Sequence, residues 1–296
     1  NDWSWNENLI FIFMEENLKK DDKIFITGHN GLVGNAILKE LLNNKYKNIF
    51  TVEKKEVDLR KQDSVENFIS KLKPDVIILA AAKVGGILNN SSNPVDFLYD
   101  NLMIQNNVIM NAFKNNVKKL LYLGSSCIYP KFPKIPITED QLLTGPLEQT
   151  NEAYAIAKIA GLKLCNYLNS KFDLSYRCLM PTNLYGENDN FNQKNGHVIP
   201  SLISKFYDAE KNNLDKIIIW GDGTPKREFM YVDDLANACL YLMRISDEKF
   251  FFGNKNNFTH LNVGVGYDIT IEELVNTISS FFNIKGHIIY DKSVPN

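Results

Sequence analysis

Over the first two-thirds of the chain, apolar residues fall into short solid runs. Between these runs they recur every three or four positions. A short solid run bounded by turn residues reads as a strand buried on both faces, and the wider spacing reads as a helix burying one side. On this basis strands are predicted at 23–27, 48–52, 75–79, 119–123 and 174–179. Helices are predicted at 35–42, 62–72, 94–115 and 152–170. The third of these has apolar Phe97, Leu98, Met103, Ile104, Val108, Ile109 and Ala112, so its main work is packing. Alternating strand and helix imply a parallel sheet with helices on both faces, an α/β doubly wound arrangement.

After Gly186 the pattern changes. Residues 188–196 are polar, a helix is predicted at 201–210 and a strand at 217–220. A turn at 221–225 leads through 227–234 into a helix reaching about 243. Strands are predicted at 261–263 and 288–290. Thr270 and Glu273 have the spacing of a capping box, opening a helix to 282. The expected organisation is a domain at 22–186, a smaller α/β domain at 187–296 and an extension at 1–21.

Composition narrows the classes. The apolar share of 44% and charged share of 23% are those of an ordinary globular protein. A net charge of −2 gives no basic footprint for nucleic acid. Cys127, Cys165, Cys178 and Cys239 show no close paired spacing, which argues against a zinc site or a disulfide framework and for a reducing, cytoplasmic setting. No metal is expected. The apolar run at 9–13 is too short to span a bilayer and has acidic rather than basic residues before it, so neither membrane span nor signal peptide is expected.

Candidate chemistry sits in two places. Gly28-His29-Asn30-Gly31-Leu32-Val33-Gly34 joins the first strand to the first helix. Glycines there let backbone approach a pyrophosphate, and the helix start offers N–H groups and positive dipole. The second strand ends at Glu53, where an acid often holds a ribose hydroxyl, with Lys54 and Lys55 next to meet a 2′-phosphate instead. Asp58 and Leu59 are candidates for the adenine end, and small Ala80 and Ala81 let a cofactor lie on the strand ends. The second place spans 123–158. Tyr154 and Lys158 are four apart and share one helix face. The ammonium is expected to favour the phenolate and ease proton delivery, with Ser125 holding a substrate oxygen beside it. Cys127 adds a base or a nucleophile, with some thiolate expected at neutral pH.

These motifs, with the Ser125-Ser126-Cys127 run, 181–186, the His197-Val198-Ile199-Pro200 segment and 220–234, resemble the extended short-chain dehydrogenase/reductases. Within them the chain is similar to the 3,5-epimerase/4-reductases of GDP-4-keto-6-deoxy-D-mannose. The resemblance covers residues 23–296. It implies a Rossmann-type domain and a C-terminal substrate domain, a GDP-sugar substrate, NADP(H) as cofactor and a homodimer. It makes Tyr154 the proton donor to the ketone, Lys158 its helper and Ser125 the oxygen binder. Cys127 and His197 become the base and acid of the epimerisations. For the cofactor it implies 28–34, Lys54, Asp58, Leu59, Ala80, Ala81, Leu123, Gly124, Ser125, Ser126, Tyr154, Lys158, Pro181, Thr182, Asn183, Leu184 and His197. For the nucleotide sugar it implies Lys205, Trp220 and Arg227. The chain departs from the family pattern at Asn30 and Glu53, where bases are common. It also ends early, so the substrate domain is expected to be incomplete at its C-terminus. Two other readings share the fold: an NAD-dependent nucleotide-sugar 4-epimerase or dehydratase, and a non-catalytic dinucleotide sensor. Ser126-Cys127 in place of an acidic pair argues against a dehydratase. Retention of both Tyr154 and Lys158 argues against a sensor.

Overall fold

The structure, a computed structural model, describes residues 17–193, 196–252 and 260–293. The apolar run at 9–13 and Asn296 lie outside the described residues. In chain order the first elements are β1 (Ile24–Thr27), α1 (Leu32–Asn43), β2 (Ile49–Phe50), α2 (Gln62–Leu72), β3 (Val76–Leu79), α3 (Ile87–Ser92), α4 (Pro94–Lys114), β4 (Lys119–Leu123), α5 (Glu152–Lys171) and β5 (Ser175–Pro181). Then come β6 (Asn183–Tyr185), α6 (Val198–Asn212), β7 (Lys216–Trp220), β8 (Lys226–Arg227), β9 (Phe229–Tyr231), α7 (Val232–Arg244), β10 (His260–Val263), β11 (Ile269–Thr270), α8 (Ile271–Ser279) and β12 (His287–Asp291).

Six strands form one sheet in the order β10-β5-β4-β3-β1-β2, every pair parallel. The solid apolar runs are explained by burial on both faces. Phe25, Ile77 and Leu120 point to one side, into a core shared with Val65 of α2, Val108 of α4 and Leu162 of α5. Ile24, Ile26, Ile78 and Leu121 point to the other, against Ile37 and Leu41 of α1 and Leu235 and Cys239 of α7. The chain steps from β1 outward to β2, then back across β1 to β3. That reversal opens a crevice at the C-terminal strand ends, where open α/β sheets take their ligands.

A third core joins Leu202 and Phe206 of α6, Ile217 and Ile219 of β7, and Val275 of α8, with Ile288 of β12 packed on it. β12 runs parallel to β7, and β6 parallel to β9. The chain crosses the boundary expected at 186/187 more than once: α7 packs on the large sheet's second core, and β10 pairs with β5 at the sheet edge.

Several boundaries differ from the pattern. α1 starts at Leu32, because Asn35 N–H already donates to the Gly31 carbonyl at 2.9 Å within the glycine turn. α6 starts at Val198, with Pro200 in its first turn, where the missing N–H is not needed. The short α3 carries no periodic signal. The capping box forms with both arms: Thr270 Oγ1 accepts from Glu273 N at 3.0 Å, and Glu273 Oε2 accepts from Thr270 N at 2.7 Å.

Candidate active site

The glycine turn is built for close backbone approach. Gly28 has φ +73°, and a Cβ there would lie 2.8 Å from the Ala81 backbone. A Cβ on Gly34 would fall on the Gly28 carbonyl. Ala81 N donates to Thr27 Oγ1 at 3.1 Å, fixing the small-residue end of β3 against β1. Gly31 caps α1 with no side-chain bond, and the first turn holds no acid. The helix N-terminus, through 32–34, therefore presents N–H groups to an anion. These residues fit the pyrophosphate of a dinucleotide. At the end of β2, where the sequence leads one to expect the adenosine, Asn30 Nδ2 donates to Glu53 Oε1 at 2.9 Å, and His29 Nε2 lies 3.4 Å from the same oxygen. Lys54 is exposed. The Asp58 carboxylate is held down to about 2 by Arg60, which donates to it at 2.8 and 3.0 Å. The Leu59 carbonyl accepts from Asn107 Nδ2 at 2.9 Å, so this stretch is pinned to α4.

The second group forms where β4 meets α5. Gly124 N donates to the Leu179 carbonyl at 2.9 Å, and a Cβ on Gly124 would collide with Met180. Ser125 then opens a single 3-10 turn through Ser126, Cys127 and Ile128, its Oγ accepting from Cys127 N at 3.3 Å. Lys158 on α5 is 4% exposed and donates to the Leu123 carbonyl at 2.8 Å. Its Nζ lies 5.6 Å from the centre of the Tyr154 ring. The structure thus brings Ser125, Cys127, Tyr154 and Lys158 together around one strand end.

Their electrostatics correct two expectations. Burial pushes the Tyr154 phenol well above its ordinary range, and the nearby Cys127 adds to the push. Burial acts on Lys158 too, whose ammonium is pushed down to about 8. The Cys127 thiol is pushed up to about 11 by burial, although Ser125 and the Lys158 charge pull the other way. Little thiolate therefore stands ready at neutral pH, against the expectation from a free cysteine.

The remaining candidates come from the smaller lobe and from β6. Thr182 N donates to the Val263 carbonyl at 3.0 Å, and Thr182 Oγ1 and Asn183 Nδ2 both donate to the Glu228 carbonyl. These bonds tie the segment 181–184 to β10 and to Glu228, the residue between β8 and β9. His197 is exposed at the N-cap of α6 and makes no side-chain capping bond. Lys205 Nζ sits 4.5 Å from the Trp220 ring centre and donates to the Ile218 carbonyl at 3.0 Å, a cation over an aromatic face. Arg227 is exposed on β8, its Nη1 donating to the Lys226 carbonyl at 2.8 Å.

Three supports were not legible as such. Phe97 meets the Tyr154 ring edge-on at 6.5 Å. Tyr122 Oη donates to Gln105 Oε1 at 2.8 Å, while Gln105 Nε2 donates to the Ala157 carbonyl at 2.6 Å, one residue before Lys158. Arg60 bridges Asp58 and Asp100, and Lys83 bridges Asp100 and Asp96. The signal for the first two is polar Asn101 and Gln105 recurring at helical spacing beside apolar Phe97 and Val108 in α4.

A glycine turn after the first strand of a parallel sheet, with tyrosine, lysine and serine meeting at the fourth strand end, defines a dinucleotide-dependent oxidoreductase of the short-chain type. The chain belongs to the NAD dependent epimerase/dehydratase family, whose model matches residues 24–264. It is 49% identical to the putative GDP-L-fucose synthase 2 of Arabidopsis thaliana over 94% of this chain and 82% of that one. It is 46% identical to the GDP-L-fucose synthase of Escherichia coli, covering 92% and 85% of the two chains. Among solved structures, a GDP-L-fucose synthetase from Naegleria fowleri bound to NADP superposes with a TM-score of 0.82 at 30% identity, over 94% of this chain and 84% of the other. Among the described residues, no helix is long and apolar enough to cross a membrane, and no group of three metal-binding side chains occurs.

Proposed function

We propose that the chain converts GDP-4-keto-6-deoxy-D-mannose and NADPH to GDP-L-fucose and NADP⁺, inverting C3 and C5 and reducing the C4 ketone. The observation that carries this reading is a thiol, Cys127, on the same 3-10 turn as Ser125 and beside the Tyr154–Lys158 pair. A plain ketone reductase needs the last three alone; the thiol supplies a separate acid–base centre. When bound, NADPH supplies the hydride that C4 receives. Ser125 Oγ holds the C4 oxygen. The ketone acidifies the hydrogens on C3 and C5, so Cys127 as thiolate removes each in turn while the electron pair moves toward that oxygen. His197 returns a proton to the opposite face at each carbon, and between the two inversions solvent takes the proton from Cys127 and restores that of exposed His197. Tyr154 then gives its phenolic proton to the C4 oxygen, and the buried Lys158 charge stabilises the phenolate left behind. Lys205, Trp220 and Arg227 hold the GDP part: cations suit a diphosphate, and an indole suits a ring face.

The division into a cofactor domain at 22–186 and a substrate domain at 187–296 serves this chemistry, with α7 and β10 bracing the first. The protein works as a homodimer in this reading, for which exposed Val95, Tyr99, Ile156 and Tyr167 on the paired helices α4 and α5 offer an apolar face. The test mixes protein, NADPH and the keto sugar and follows the products by NMR. One GDP-L-fucose should form per NADPH oxidised. A C4 epimer formed with no net oxidation of cofactor would instead favour the 4-epimerase reading.

A further inference from the structure

The adenosine end of the dinucleotide site carries a carboxylate where NADP(H) needs a cation. Glu53 lies just past the end of β2, the strand paired with β1, and about twenty residues beyond the glycine turn, the position from which a Rossmann acid reaches the ribose 2′-hydroxyl. Its Oε1 is tied to Asn30 Nδ2 at 2.9 Å and lies 3.4 Å from His29 Nε2. Both partners belong to the glycine turn, so the carboxylate is fixed relative to the pyrophosphate rather than free on a loop. The bond from Asn30 holds it below the usual carboxylate range, and so ionised at neutral pH. A second carboxylate shares the turn: Glu53 N donates to Glu56 Oε2 at 3.2 Å, so the backbone N–H of Glu53 is already engaged. The cations of the turn, Lys54 and Lys55, are both exposed. An ionised carboxylate accepts a hydroxyl proton well and repels a phosphate dianion.

We propose that Glu53, positioned by Asn30 and His29, takes the ribose 2′-hydroxyl of NADH, so that this chain uses NADH and NADPH with comparable efficiency. Lys54 and Lys55 hold the 2′-phosphate of NADPH at the exposed rim. The inference rests on the reading of the chain as a dinucleotide-dependent reductase, and its test keeps the two apart. The protein is titrated with NADH and with NADPH, without sugar, following nicotinamide fluorescence.

The two dissociation constants should agree within about tenfold, the span one charge-assisted hydrogen bond sets. Glu53→Gln should move the ratio toward NADPH by about tenfold, and Glu53→Asp should move it less. Lys54→Ala with Lys55→Ala should weaken NADPH alone. Glu53 is exposed, so these variants should keep the wild-type melting temperature, which is measured alongside. Wild-type protein preferring NADPH by well over tenfold, or a ratio unmoved in Glu53→Gln, overturns the inference and leaves the reductase reading intact. Failure to bind either nucleotide overturns both.

Discussion

At the residue scale the chemistry turns on how burial sets three pKa values around Ser125. Tyr154 keeps its proton firmly, which suits a donor that must hold it until the C4 oxygen gains charge. Tyr154→Phe should lower ketone reduction by about 10²- to 10⁴-fold, the usual weight of a general acid. Its NADPH dissociation constant should stay at the wild-type value in a fluorescence titration. Cys127, with its thiol at about 11, is the opposite case: a base needs the deprotonated form. Exchange of the C3 and C5 hydrogens with solvent should rise about tenfold per pH unit from pH 6 to 8. Above about 8 Lys158 loses the charge that pulls the thiol down, so the rise should slacken there. A pH-independent exchange rate would remove Cys127 from the base role. The spacing of Tyr154 and Lys158 and the serine run before them were legible in the sequence. The direction of their pKa shifts was not, because it depends on burial by elements far away in the chain.

At the element scale, α5 is the part that positions the chemistry, and its placement depends on Gly161. A Cβ there would lie 2.5 Å from Tyr122 Oη and 2.8 Å from Gln105 Cδ. These two side chains hold the backbone beside Lys158: Gln105 Nε2 donates to the Ala157 carbonyl, and Tyr122 Oη lies 3.2 Å from the Lys158 carbonyl. Gly161→Ala gains about 1 kcal/mol of helix propensity and loses about 1–3 kcal/mol to overpacking. Its melting temperature should therefore change little or fall by a few degrees. Turnover should fall more, because α5 must shift and carries Tyr154 and Lys158 with it. Unchanged turnover in the variant would detach catalysis from this packing. Element existence was legible from periodicity throughout the large sheet. The start of α6 was not, since a proline at its third residue reads as a stop, and α3 has too few residues to show a period.

For the whole molecule, the return of the chain to the large sheet is the feature the pattern hides. Residues 260–263 read only as a short strand, and nothing local says which sheet they join. The link is secured by Arg177 of β5, fully buried, which donates to the Leu242 and Ile245 carbonyls at the end of α7 and to Asp247 at 2.7 Å. Its guanidinium also lies 4.8 Å from the Phe250 ring centre. Arg177→Ala leaves those part-buried carbonyls without their donor and should cost about 1–3 kcal/mol in a denaturant titration. A loss below about 1 kcal/mol would mean that solvent replaces it readily. The central proposal is that Cys127 and the Tyr154–Lys158 pair act as two separable acid–base centres, one for inversion and one for reduction. The most direct test is NMR of the keto sugar in deuterated water with NADPH, comparing wild type, Tyr154→Phe and Cys127→Ser. Tyr154→Phe should incorporate deuterium at C3 and C5 yet leave the C4 ketone unreduced, and Cys127→Ser should lose the incorporation. Wild-type exchange at both carbons in Cys127→Ser would contradict the account.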